Sequence, residues 1–211
     1  MKVGIFGSGD VGQALAAGFV QHGHSVTMGT RDPSKLAAFA AQHKGMHVGS
    51  VADAARFGEL LVLAVKGAAA ADVLRDADED QIEGKVIIDA TNPISDTAPK
   101  NGVLDYFTHE ESLMERLQRE FSGARFVKAF SCVGSALMVH PKLPGGPPSM
   151  FICGNDADAK KAVAGVLDQF GWDVEDMGAA EAARAIEPLA VLWCIPGFLR
   201  NDWSHAFKML R

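Results

Sequence analysis

The chain opens on an unbroken apolar run, Val3-Gly4-Ile5-Phe6, the pattern of a strand covered on both faces. After a glycine-rich turn the period changes. Val11, Ala14, Leu15, Gly18 and Phe19 recur every three to four residues, one face of a helix that Gly23 ends. His24 to Met28 reads as a second strand, and Asp32-Pro33 as a helix start with Asp as cap and Pro in the first turn; that helix runs to about Lys44. Met46 to Val48 is a third strand. Ser50 to Asp53 forms an acidic capping box opening a short helix to Phe57. A near-continuous apolar run, Glu59 to Val65, is a fourth strand, followed by a helix from about Ala68 to Asp78 and a fifth strand, Lys85 to Asp89. Thr91 to Phe107 is loop-like. Thr108-His109-Glu110-Glu111 has the capping-box spacing and predicts a helix to Phe121, before a strand from Arg125 to Phe130. Pro141 to Pro148 holds four of the nine prolines and reads as a flexible loop. Met150 to Cys153, a helix from Asp156 to Phe170 stopped by Gly171, and Trp172 to Val174 follow. Gly178 to Leu210 reads as helical, with Pro188 and Pro196-Gly197 as kink or break points.

Strands alternating with helices at this spacing predict an α/β protein. The expected fold is a Rossmann-type, doubly wound, mainly parallel sheet with right-handed crossovers. The expected organisation is a dinucleotide-binding domain over residues 1–177 and a helical C-terminal extension over 178–211 packed on it.

Composition narrows the partners. Twenty basic against 26 acidic residues give a net charge of −6, which argues against nucleic-acid binding. The three cysteines, Cys132, Cys153 and Cys194, form no CxxC pair. A zinc knuckle or disulfide framework is therefore not expected, and a reducing, cytoplasmic setting is. Gly4, Gly7, Gly9 and Asp10 interrupt any signal-peptide core, and the apolar stretch Pro188 to Leu199 is short for a membrane span.

The turn Gly7-Ser8-Gly9-Asp10-Val11-Gly12 is a GxGxxG placed between a strand and a helix, the context that makes this motif informative. The first glycine permits the tight turn, the second lets backbone approach a pyrophosphate, and the third lets helix pack on strand. About twenty residues on, a site for an unphosphorylated ribose carries an acid. Here the second strand ends in Gly29-Thr30-Arg31, and Asp32 is better used as a helix cap. Thr30, Arg31 and, one turn on, Lys35 suit a 2′-phosphate, so the expected cofactor is NADP(H).

These segments, with IDATNP at 88–93, VKAFSCVG at 127–134 and MFICGNDADAKK at 150–161, resemble the NADPH-dependent coenzyme F420 reductases, the deazaflavin-dependent NADP oxidoreductases. The NADPH-binding domain of the Steap-type metalloreductases is similar. The resemblance spans nearly the whole chain. It implies nicotinamide near Val65, Lys66, Asn92 and Pro93, with an acceptor against Ala129 to Val133 and the C-terminal segment. Family members often have Val-Pro where this chain has Val65-Lys66, and Asn-Thr where it has Ser131-Cys132, so the departures border the acceptor site.

No HExxH, GxSxG or Cys–His motif is present, which fits hydride transfer between a nicotinamide and a flavin-like ring, where the cofactors carry the chemistry. The acceptor-pocket candidates are Lys128, Ser131 and Cys132. Lys128 is either a proton donor or anion-orienting group, or a strand-end lysine with a solvated head, and Lys66 invites the same solvated reading. His22 and His24, flanking Gly23, read as solvated, and no metal site is expected. Trp193, Phe198, Trp203 and Phe207 read as core, as a subunit interface, or as a wall for a planar ring; a homodimer through the C-terminal helices is expected. A flavin or ferric reductase and a non-catalytic NADP(H)-sensing module remain alternative functions. Hydroxyacid or pyrroline-5-carboxylate reductases share only the N-terminal pattern.

Overall fold

The first six strand segments form one sheet. The computed structural model describes residues 1–108 and 110–211. In chain order its elements are β1 (Lys2–Phe6), α1 (Asp10–Gln21), β2 (Ser25–Gly29), α2 (Ala37–Ala41), β3 (Met46–Gly49), α3 (Val51–Phe57), β4 (Leu60–Leu63), α4 (Ala70–Asp76), α5 (Glu79–Ile82), β5 (Val86–Asp89), α6 (Leu113–Glu120), β6 (Arg125–Lys128), β7 (Ser149–Ile152), α7 (Ala157–Gln169), β8 (Asp173–Asp176), α8 (Ala183–Ile186) and α9 (Leu189–Arg200). Six strands pair in parallel in the order β3-β2-β1-β4-β5-β6. The order reverses between β1 and β4. β7 and β8 form a separate parallel pair, joined to β6 through an antiparallel bridge, Lys128 to Cys153.

Every residue of β4 and β5 is buried, as two-faced coverage of a parallel sheet requires. Alternate side chains supply two cores. Val3, Ile5, Val62 and Ile88 face α1 and α7 through Leu15, Phe19, Val163 and Leu167. Phe6, Leu61, Leu63 and Ile87 face α3, α4 and α6 through Ala54, Leu74 and Leu117.

Three expectations change. The segment from Asp32 is a 3-10 turn, Pro33–Leu36, capped by the Asp32 side chain, followed by the short α2. The helix expected to start at Thr108 starts at Leu113, because the second of two overlapping patterns closes. Ser112 Oγ accepts from Glu115 N at 3.1 Å, and Glu115 Oε2 accepts from Ser112 N at 2.8 Å. Glu111 pairs instead with Arg116 and Arg119; His109 of the first pattern lies outside the described residues. The C-terminal helix breaks at Pro188, continues through Pro196 and ends at Arg200, where Asn201 turns left-handed at φ 54°. Residues 201–211 are not helical. They fold back along β7, with Ser149 N donating to Phe207 O at 2.9 Å and Met209 N to Ser149 Oγ at 3.0 Å.

Candidate active site

Ligands of open α/β sheets bind beyond the carboxyl ends of the strands where strand order reverses. Here that point lies between β1 and β4, and the glycine-rich turn crosses it. Gly7 is required by the fold: its φ is +128°, and a Cβ there would strike the Ala64 carbonyl. Gly12 lets α1 sit against the turn, since a Cβ would stand 2.5 Å from Gly7 O. Gly9 differs. A Cβ at that position would meet no atom within 4 Å, so the protein itself does not demand glycine there. Gly9 is also the N-cap of α1 and offers no side chain to the first amides, which stay available to an anion. Gln13 Nε2 braces the turn by donating to Ser8 O at 2.8 Å.

A cleft of about 370 Å³ runs from this turn, lined by Gly7, Ser8, Gly9, Gly29, Thr30, Arg31, Val65 and Lys66, with Val51, Asp72, Val73 and Asp76 on the wall toward α3 and α4. A cavity of about 360 Å³ adjoins its Arg31 end, shared through Thr30, Arg31, Val51 and Asp76. Another, of about 410 Å³, adjoins the opposite end through Val65 and Lys66 and adds Ala90, Asn92 and Ile94 to Thr97. Asp10, Val11 and Gly12 occupy the first turn of α1 behind the glycine loop.

At the β2 end, Asp32 is held away by Ser34, whose N and Oγ donate to Asp32 Oδ1 at 3.2 and 2.5 Å. Arg31 is exposed and forms no ion pair among the described residues. Lys35 is 73% exposed, lies 3.8 Å from Asp32 and does not line the cleft. At the far end Asn92 Nδ2 donates to Ser131 O at 2.7 Å. Asn92 Oδ1 and Ser131 Oγ are buried without a partner among the described residues. Pro93 is buried, and its carbonyl accepts from Phe107 N at 2.9 Å. Lys66 is solvated as expected and pairs with Asp96 at 2.8 Å.

Lys128 overturns the solvated reading. It is fully buried, with Nζ 2.7 Å from Asp89 Oδ2, 2.9 Å from Glu187 Oε1 and donating to Thr91 O at 2.9 Å. Burial alone would lower its pKa, but Asp89 and Glu187 outweigh it and hold the ammonium above its ordinary value. The ammonium is enclosed by two carboxylates and a carbonyl with none of its surface exposed, so it is out of an acceptor's reach. Cys132 is buried too, and burial pushes its thiol up to about 12. Trp193 packs against Gly134 just beyond Cys132, stacks on His205 at 5.1 Å and meets Trp203 at 5.7 Å, while Phe198 meets Trp203 at 5.3 Å. Phe207 stands apart, on β7. None of the cavities described is lined jointly by Ser131, Cys132 and the 196–210 segment. His22 and His24 are both half-buried, His22 with its Nε2 3.0 Å from that of His140 and His24 with its Nε2 3.2 Å from Gln169 Oε1.

Sequence reasoning missed Asp72, Val73 and Asp76, and the Ile94–Thr97 wall. Each reaches the cleft by helix packing or by an irregular loop, and neither leaves a periodic signal.

A glycine-rich strand–turn–helix at the switch point of a six-stranded parallel sheet in this order defines a Rossmann-type dinucleotide-binding protein. Residues 2–93 match the family model described as NADP oxidoreductase, coenzyme F420-dependent. The structure of a candidate F420-dependent NADP-reductase from Arthrobacter sp. FB24 superimposes over 100% of both chains with a TM-score of 0.93 and 34% identity. The F420-dependent NADP reductase of Methanothermobacter thermautotrophicus is 29% identical over 204 residues, covering 91% of this chain and 87% of that protein. Metalloreductase STEAP3 of Rattus norvegicus is 31% identical over 203 residues, 94% of this chain but 39% of the relative, so the chain spans about two fifths of its length. The chain belongs to the family of coenzyme F420-dependent NADP oxidoreductases.

Proposed function

We propose that the protein transfers a hydride between NADP(H) and a deazaflavin, coenzyme F420, or a flavin-type acceptor. The observation that carries this reading is the character of the far end of the cleft. Val65, Gly67, Ala90, Asn92 and Ile94 form its apolar and amide wall, and on its polar side Ser95 is bonded to Thr97 and Lys66 to Asp96. Lys128 is sealed off, the Cys132 thiol stays protonated, and Lys66 is held by Asp96, which raises its pKa. A carbonyl substrate would call for a proton donor at that wall, whereas a ring that takes a hydride without one suits it. Bound NADPH supplies the hydride from its nicotinamide C4; the protein's task is to hold the two rings close and dry.

Each residue has a part in that task. The open space at Gly9 and the first α1 amides, with Ser8 to Val11, take the pyrophosphate. Thr30 and Arg31 take the 2′-phosphate, with Lys35 adding charge from one turn away. Val65, Lys66, Asn92 and Pro93 border the nicotinamide. Ser131 backs the acceptor end through its carbonyl's bond to Asn92, with the buried Cys132 behind it. We place the protein in the cytoplasm, where its unpaired cysteines stay reduced.

The test is anaerobic NADPH oxidation against coenzyme F420, FMN, FAD, quinones and ferric chelates. Turnover with F420 or a flavin is expected. Tight NADPH binding without turnover on any acceptor would replace this reading with a sensing module, and oxidation of ferric chelates alone would replace it with a metalloreductase.

A further inference from the structure

The buried Lys128 cluster has no part in the transfer itself, yet it touches the strand end that leads into the cleft. Asp89 closes β5, and its Oδ1 accepts from Thr91 N at 2.9 Å and Thr91 Oγ1 at 2.6 Å. Lys128 takes the carbonyl of the same residue. Thr91 is thus fixed at both its N–H and its C=O, and Asn92 follows directly. On the other side, Glu187 belongs to the link between α8 and α9. Its carboxylate accepts from Leu113 N at 2.9 Å and Met114 N at 3.0 Å, the first amides of α6, and its backbone oxygen accepts the Tyr106 hydroxyl.

We propose that Lys128 is a positioning residue, joining Glu187 of the C-terminal extension to the Thr91-Asn92 turn, so that docking of the extension sets where Asn92 stands in the cleft wall. This rests on Asn92 standing at the nicotinamide end of the proposed NADP(H) site.

Energetics favour a geometric role over a stabilising one. Two carboxylates and one ammonium are buried, and such clusters are commonly no more stable than apolar residues of equal volume. The α6 N-terminus offsets the surplus negative charge through two amides, which fixes Glu187 in one place. The backbone beyond Lys128 supports the same end. Phe130, a bulky buried residue, is held left-handed at φ 60°, a conformation that persists only when its surroundings impose it. That turn places Ser131 O against Asn92 Nδ2, so Asn92 is gripped from both the β5 and the β6 strand ends.

The mild variant is Glu187→Gln, which leaves Lys128 and Asp89 as a neutral pair. Amide hydrogen exchange on the full-length protein without ligand is expected to quicken about tenfold in peptides covering residues 89–95, with β1 and α1 peptides unchanged. Unchanged protection there would overturn the proposal. With ligand, Lys128→Met combined with Glu187→Leu, checked for folding by circular dichroism, is expected to keep its affinity for adenosine 2′,5′-bisphosphate within twofold. NADPH affinity should fall at least fivefold, and the emission of bound NADPH, which reports nicotinamide immobilisation, should lose at least half its enhancement. Lys128→Arg should recover part of both. Wild-type emission and affinity in the folded double variant would also overturn it. A wild type that binds no NADPH would sink the proposed function instead, while the exchange measurement still decides the link.

Discussion

A methyl group added at Gly7 and one added at Gly9 would have opposite consequences. At Gly7 it meets backbone at a positive φ, so Gly7→Ala is expected to lower stability by at least about 1–3 kcal/mol. At Gly9 it meets nothing in the protein, and φ is an ordinary −79°. Gly9→Ala should therefore keep stability to within about 1 kcal/mol while losing at least tenfold in NADPH affinity. Thermal melts and calorimetry on the pair separate the two effects; a Gly9→Ala protein that binds normally would remove the pyrophosphate from that space. Arg31 has a matching signature. A charge-assisted hydrogen bond contributes about 1.5–3 kcal/mol, so Arg31→Ala should weaken NADPH binding roughly tenfold to a hundredfold and NADH binding little, at fixed salt. Equal losses would mean that the arginine does not read the phosphate. That Gly7, Gly9 and Arg31 meet at one cleft was legible from spacing alone, because the glycine motif and the β2 end are local signals. The burial of Lys128 was not. Its partners come from β5 and from the link before α9, and nothing in the local sequence around a strand-end lysine announces carboxylates brought in by topology.

The elements show a similar division. Strands were legible to within a residue or two wherever an apolar run is fully buried, as in β4 and β5. Helix starts were less so, since Thr108–Glu111 and Ser112–Glu115 carry the same spacing and only tertiary packing chooses between them. The chosen cap has a measurable consequence. Hydrogen bonds from Arg184 on α8, together with those from Ser112, outweigh the opposing effect of burial and hold the Glu115 carboxyl down to about 2, from an ordinary 4.5. A carboxyl lowered on folding stabilises the fold fully above its unfolded pKa. That contribution is lost as pH falls from about 4.5 toward 2. Glu115→Gln should therefore lower stability at pH 7 and flatten its acid dependence across that window. Denaturant melts at a series of pH values measure it, and an unchanged acid slope would show that α6 and α8 are held together by other means.

At the scale of the molecule, the sheet order and the glycine loop follow from alternating strand and helix signals. The fate of the last 34 residues did not: the expected helix stops at Arg200 and the tail pairs with β7. We read 178–211 as an extension docked on a dinucleotide-binding unit of residues 1–177, and its outer face sets the final prediction. Leu192 and Leu199, one helical face apart by seven residues, are 54% and 55% exposed, with Phe198 and Trp203 beside them at 44% and 39%. The segment Ala180–Arg200 is long and apolar enough to cross a membrane by length and composition, at a mean hydropathy of 1.4. Yet Glu187 within it is buried against Lys128, and removing it into lipid would leave that ammonium facing one carboxylate and strip the cap from α6. Exposed apolar side chains gathered on one short segment are better covered by protein, and a second copy offers the same segment across a two-fold axis. The wild type is therefore expected to be a dimer at micromolar concentration by light scattering. Leu192→Asp with Leu199→Asp should give a folded monomer, since both residues are more than half exposed and Leu199 lies against the turn at Gly102. A wild-type monomer would rule the dimer out, and a wild-type monomer that pellets with lipid vesicles, while the double variant stays in solution, would assign the same face to a membrane surface.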